Sequence, residues 1–217
     1  ITLQIVRMKS KRIQGVAKKW TLLRDVPEFQ TPIMSLESRY CSLGSRQHRF
    51  FVLKGPPWCN VVPITPRGTV VMVWQYRVGT DALSLEIRGG VVDPSDSRSP
   101  KRAALRELLE ETGYAPLAQA RCIEVSKTFS NPAIFNNRTH SFLVGPVERV
   151  AKQTLDPQES ISVVEIPIRK IPSLIRQGKI GHALILNAIL ASALQSNHFD
   201  QVFTGALGAF TGKNSRK

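Results

Sequence analysis

Cysteine is scarce. Cys41, Cys59 and Cys122 are the three in 217 residues, an odd number without metal-ligand spacing. That argues against a disulfide framework or a cysteine-built metal site and for reduced thiols inside a cell or organelle. No apolar run approaches the roughly 18 residues of a membrane-crossing helix, so no membrane span is expected. Internal repeats and low-complexity tracts are also lacking. Acidic side chains are few, with 16 Asp and Glu against 30 Lys and Arg, a net charge of +14. The 42% hydrophobic content is ordinary for a globular chain, and the length suits one domain with extensions.

The basic excess is uneven. Residues 1–54 carry 11 basic and 3 acidic side chains, residues 55–145 carry 10 and 8, and residues 146–217 carry 9 and 5. A near-neutral middle beside a basic N-terminal segment favours contact of that segment with a polyanion such as RNA or with an anionic surface; scattered solvated lysines are the plainer reading. The first 24 residues hold seven basic groups and no acid. The chain opens on Ile1 rather than Met, so an upstream piece is expected to have been removed or to be absent from this sequence. Both features suit a mature mitochondrial protein, with the cytoplasm as the other location.

The acids that do occur gather in one place. Ser99 can cap a helix, Pro100 suits its first turn, and Gly113 suits its C-terminal stop. Ala104, Leu105, Leu108, Leu109 and Thr112 form an apolar stripe at helical period. Glu107 and Glu111 are then stacked four residues apart, with Glu110 on the adjoining row. Like charges at that spacing cost about 0.2–0.5 kcal/mol per pair. Two of the three acids also sit where the helix dipole disfavours anions by about 0.3–1 kcal/mol. A counter-ion is called for. A divalent cation held by oxygen ligands meets the need, and Mg²⁺ also takes phosphate oxygens; Mn²⁺ is the substitute. The bland alternative is a solvated helix end balanced by Lys101 or Arg102.

The order Arg106-Glu107-Leu108-Leu109-Glu110-Glu111-Thr112-Gly113, preceded by Gly89-Gly90, resembles the signature of the Nudix hydrolases, Gly-x5-Glu-x7-Arg-Glu-x-x-Glu-Glu-x-Gly. The helical half matches in full. Upstream, Asp96 stands where the pattern has Glu, and nine residues separate it from Arg106, a two-residue loop insertion that a surface loop tolerates cheaply. Further stretches resemble the ADP-ribose pyrophosphatase branch: Pro57 to Val62, Gln75-Tyr76-Arg77, Leu85-Glu86-Ile87, Asn131-Pro132-Ala133, Asn136-Asn137-Arg138 and Gly178 to Leu184. That branch carries Pro where this chain has Arg88.

The resemblance implies an α/β/α sandwich with a mixed sheet over residues 49–197, a basic extension over 1–48 and a tail over 198–217. It implies metal binding by Glu107, Glu110, Glu111 and the Gly89 carbonyl, with Arg106 orienting a carboxylate, a bidentate task that lysine does poorly. The catalytic set is Arg106, Glu107, Glu110 and Glu159, with Glu159 or Asp156 as base from the loop before a late strand; Pro157 stands where that base is expected. Arg77 and Trp58 are the substrate-binding candidates, for phosphate and a base; core packing is the competing role for Trp58. His140 and His182 are read as structural.

The remaining elements follow from periodicity and turn residues. ITLQIV at the start and Arg49–Leu53 read as strands. Cys59–Thr65 and Thr69–Tyr76 read as a hairpin across Pro66-Arg67-Gly68, and Leu83–Ile87 as a strand running into a Gly-Gly turn. Ala118–Ser126, Thr139–Val144 and Ile161–Ile166 are further strands. Ile168–Gln177 and His182–Gln195 are helices, the second apolar nearly all round and hence expected to be buried. Two functions stay open. One is a Mg²⁺-dependent pyrophosphohydrolase of ADP-ribose or a similar nucleoside diphosphate derivative, with a homodimer left open. The other is an accessory subunit of a mitochondrial ribosome or RNA-processing complex, binding RNA or neighbouring proteins through its basic segment.

Overall fold

Strand-forming, β-branched segments dominate the chain, and short Gly- or Pro-containing turns divide them. The computed structural model describes residues 17–93, 96 and 99–195. The strand expected at ITLQIV and the tail 198–217 lie outside them. Two compact units divide between Leu53 and Lys54.

In the first unit, β1 (Thr21–Gln30), β2 (Ser35–Leu43) and β3 (Arg46–Lys54) form a three-stranded sheet in that order. Sequence periodicity here is weak because most side chains of β1 and β3 face solvent on both faces. Cross-strand ion pairs hold the register instead: Arg39 donates to both oxygens of Asp25 at 3.0 Å, and Arg49 reaches Glu28. Cys41 is the single buried apolar side chain among residues 17–53.

The second unit contains β4 (Trp58–Pro63), β5 (Thr69–Arg77), β6 (Ala82–Glu86), β7 (Arg88–Val91), α1 (Pro100–Thr112), β8 (Tyr114–Phe129), β9 (Arg138–Arg149), β10 (Ile161–Pro167), α2 (Ile171–Arg176) and α3 (Ala183–Gln195). One sheet runs β10-β5-β6, the other β7-β4-β9-β8. The second is mixed, since β4 pairs parallel with β9 and antiparallel with β7. Successive residues of β4 point to opposite faces. Val61 accordingly packs with Ala104 and Leu108 of α1, while Val62 packs with Ile185, Ala188 and Ile189 of α3. This is an α/β sandwich with helices on both faces.

Three expectations are corrected. The hairpin of β4 and β5 does not form. The turn at Gly68 is present (φ 70°), but the strands separate into different sheets after one bridge between Ile64 and Val70. Gly89 and Gly90 are not a turn; they lie inside β7, paired with Asn60 and Cys59. A Cβ at Gly89 would come within 2.5 Å of the Cys59 carbonyl, so close approach of chains demands glycine there. Finally, α3 is buried on one side only, with Leu190 and Leu194 exposed.

Candidate active site

Helix α1 begins and ends as its residues dictate. The Ser99 hydroxyl accepts from the Arg102 amide at 3.3 Å, and Gly113 closes the helix at φ 75° with its amide donating to Leu109. The buried face is Ala103, Ala104, Leu108, Glu111 and Thr112. Leu109 is exposed instead, because the stripe rotates far enough to bury a carboxylate. That carboxylate, Glu111, faces Arg88 of β7 in an ion pair.

Arg106 gathers the other acids. Its Nε donates to Asp96 at 3.1 Å and its Nη1 to Glu110 at 2.8 Å, and its Nη2 lies 3.0 Å from Glu107. Asp96, though a methylene shorter than the family glutamate, is buried and serves as the guanidinium's anchor. Arg102 also reaches Asp96, and Lys101 donates to the Cys122 carbonyl. Neither balances the helix end, as the bland reading required.

Glu107 lies against β7. A Cβ at Gly90 would come within 2.8 Å of the Glu107 carboxyl carbon, so glycine makes room for the acid. Glu107 is hydrogen-bonded to Glu111. Burial, that bond and the charges of Glu159 and Glu107 push the Glu111 carboxyl up to about 8, against the opposing pull of Arg88.

The loop that carries Glu159 is tied to α1 by bonds sequence reading did not foresee. The Thr154 amide donates to the Glu110 carbonyl at 2.7 Å, and Gln153 Nε2 to the Glu111 carbonyl at 2.8 Å. These bonds fasten the loop before β10 to the last turn of α1. The Glu159 carboxylate accepts from the Asp156 amide at 3.0 Å.

Arg77 is held rather than free. It makes a two-pronged pair with Glu86, at 2.9 and 2.6 Å. Burial pushes Glu86 up, but the bonds and charge of Arg77 outweigh it and hold the carboxyl below the usual range. The pair lines a cavity of 450 Å³ with Ser84, Lys179, Gly181 and His182. His182 accepts from the Leu184 amide, a cap of α3. His140 bonds Glu124 across the β8–β9 pair at 2.7 Å. Trp58 is half-buried at the start of β4.

Among the described residues, no three His, Cys, Asp or Glu side chains are gathered as a metal cluster; Glu107 and Glu111 are paired while Glu110 is drawn to Arg106. The donors nonetheless suit a hard cation. Glu111 Oε2 is buried and paired with Arg88, and the Gly89 carbonyl oxygen accepts from the same guanidinium. Arg88 was visible only as a departure from the family pattern, and Gln75, its partner at 3.1 Å, carried no signal of its own.

These features together define the class. Residues 57–186 match the NUDIX domain, and the chain belongs to that family, whose hydrolases generally use divalent metal ions. An ADP-ribose pyrophosphatase of Bacillus subtilis (strain 168) is 27% identical over 150 residues, 67% of this chain and 78% of that one. A GDP-mannose pyrophosphatase of Yersinia enterocolitica is 28% identical over 53% of this chain and 61% of its own. The fold is that of a crystal structure described as an ADP compounds hydrolase, at TM-score 0.70 and 19% identity, covering 82% of this chain and 94% of that one.

Proposed function

We propose that the protein is a Mg²⁺-dependent pyrophosphohydrolase acting on ADP-ribose or a similar nucleoside diphosphate derivative. The observation that carries this reading is the Arg106-Glu107-Glu110-Glu111 helix end, with Glu111 buried against Arg88 and Glu107 seated against Gly90, in a NUDIX chain. The names of its relatives, pyrophosphatases of ADP-ribose and GDP-mannose, favour hydrolysis over an accessory role in an RNA assembly.

Glu107, Glu111 and the Gly89 carbonyl would hold the metal, with Glu110 assisting. Bound there, a divalent ion neutralises pyrophosphate charge and lowers the pKa of water. Glu159 takes the proton of the attacking water as general base. The water oxygen bonds to one phosphorus, the bridging P–O bond breaks, and two monophosphates leave with the elements of water added. Arg106 keeps Glu107 and Glu110 in place. Arg77, held by Glu86 in the lining of the cavity, is the candidate to meet a phosphate, and Trp58 offers a face for a base. Purified full chain with Mg²⁺ should release monophosphates from ADP-ribose or a related nucleoside diphosphate sugar. No turnover across such a panel, together with salt-sensitive RNA binding lost on deleting residues 1–24, would favour the accessory reading.

A further inference from the structure

Arg88 heads the fully buried side chains by volume, at 2% exposure. A guanidinium there must be paired to be tolerated. Its Nη1 donates to Gln75 Oε1 at 3.1 Å, its Nη2 donates to the Gly89 carbonyl at 3.2 Å, and the same Nη2 is ion-paired with Glu111 Oε2. The last two oxygens are those the proposed function assigns to the divalent ion. Arg88 therefore stands on the metal's ligands.

The pairing is incomplete. Arg88 Nε is buried without a hydrogen-bond partner. Arg77, the other cation that acts with Glu111, is committed to Glu86. One monovalent cation thus holds both oxygens. A divalent ion and a guanidinium on the same two oxygens would repel strongly at such low dielectric, so both cannot keep those ligands.

We propose that Arg88 is a tethered competitor of the divalent ion. In the metal-free protein its guanidinium holds Glu111 and the Gly89 carbonyl, and the metal enters by displacing it towards Gln75. The side chain thereby sets the metal concentration at which the site fills. This inference rests on Glu111 being a metal ligand, and the test separates the two claims.

Mg²⁺ binding to the full chain is measured by calorimetry at about pH 8.5, where carboxylates are ionised, for wild type, Arg88→Met, Arg88→Gln, Glu111→Gln and Arg88→Met/Glu111→Gln. Arg88→Met should bind Mg²⁺ roughly tenfold more tightly, with the gain erased in the Glu111→Gln background. Arg88→Gln, which keeps polar atoms for Gln75, should show the same direction and serves if Arg88→Met does not fold. In wild type, the Arg88 Nε–H resonance, assigned by sequential connectivity, should shift as Mg²⁺ is added, a readout that needs no folded variant. If Glu111→Gln leaves Mg²⁺ affinity unchanged, the metal reading itself is lost. If Glu111→Gln weakens binding but neither Arg88 variant tightens it, or the Arg88 resonance does not move, the competitor is overturned and the metal site stands.

Discussion

Glu111 shows how one residue's surroundings decide its chemistry. Exposed on a helix, it would be an ordinary carboxylate; buried beside Glu107 and near Glu159 it is raised to about 8. The sign follows from linkage. A carboxyl whose folded pKa is raised contributes stability fully present below the usual carboxylate range, and loses it as pH rises towards 8. Metal-free protein should therefore lose melting temperature between about pH 5 and 8, and Glu111→Gln should flatten that slope. The same variant should abolish hydrolysis and the metal-induced rise in melting temperature, with the circular dichroism of the fold retained. A variant that hydrolyses normally would remove Glu111 from the site. Glu159→Gln should lower turnover by roughly 10²–10⁴-fold with Mg²⁺ affinity preserved, as loss of a general base does. An unchanged rate would pass the role to another group.

At the scale of elements, the site is the meeting of a helix end, a glycine-bearing strand and a tied-down loop. Helix α1 sets the spacing of Glu107 and Glu111, so its termini matter to the geometry. Ser99→Ala removes the hydroxyl that caps the Arg102 amide and should cost about 1 kcal/mol in denaturant unfolding. Gly113 has two reasons to be glycine: its φ of 75°, and the Ala151 carbonyl oxygen that a Cβ there would strike. Strand β7 contributes by what it lacks, since Gly90 leaves the space that the Glu107 carboxyl fills. The sheet β10-β5-β6 carries two depressed carboxyls. Burial raises both Glu86 and Glu165, but Arg77 in the first case, and Arg67, Thr69 and Tyr114 in the second, bring them below the usual range. Their contribution is present above about pH 4.5 and lost as pH falls through the depressed values. Arg77→Met should thus move the acid unfolding midpoint upward. It should also cost about 3–5 kcal/mol at neutral pH, by stranding a buried Glu86. An acid limb identical to wild type would show that the pair contributes nothing net.

For the whole molecule, the distribution of apolar burial separates the two units. Both core clusters draw their buried residues from between Cys59 and Ala193, whereas residues 17–53 bury only Cys41 among apolar side chains. A fragment of residues 54–217 should unfold cooperatively by circular dichroism, and a fragment of residues 1–53 should not, because folding needs apolar area to offset chain entropy. A cooperative melt of the short fragment would refute this. No helix among the described residues is long and apolar enough to cross a membrane.

Some of this was determined by the order of residues alone. Helix α1, its cap and its stop are local matters of hydrogen bonding and period, so Ser99, Pro100 and Gly113 announce them directly. The family, and the spacing of Arg106, Glu107, Glu110 and Glu111, are equally legible, because helical geometry converts sequence separation into distance. Tertiary structure decided the rest. Turn residues at Gly68 could not tell whether β4 and β5 pair or part, since sheet membership is settled by long-range partners such as β9 and β10. The glycines of β7 looked like a turn because close packing and positive φ leave the same mark on a sequence. The pairing of Arg88 with Glu111 joins residues 23 positions apart, and no local pattern encodes a contact that only the docking of α1 on β7 creates.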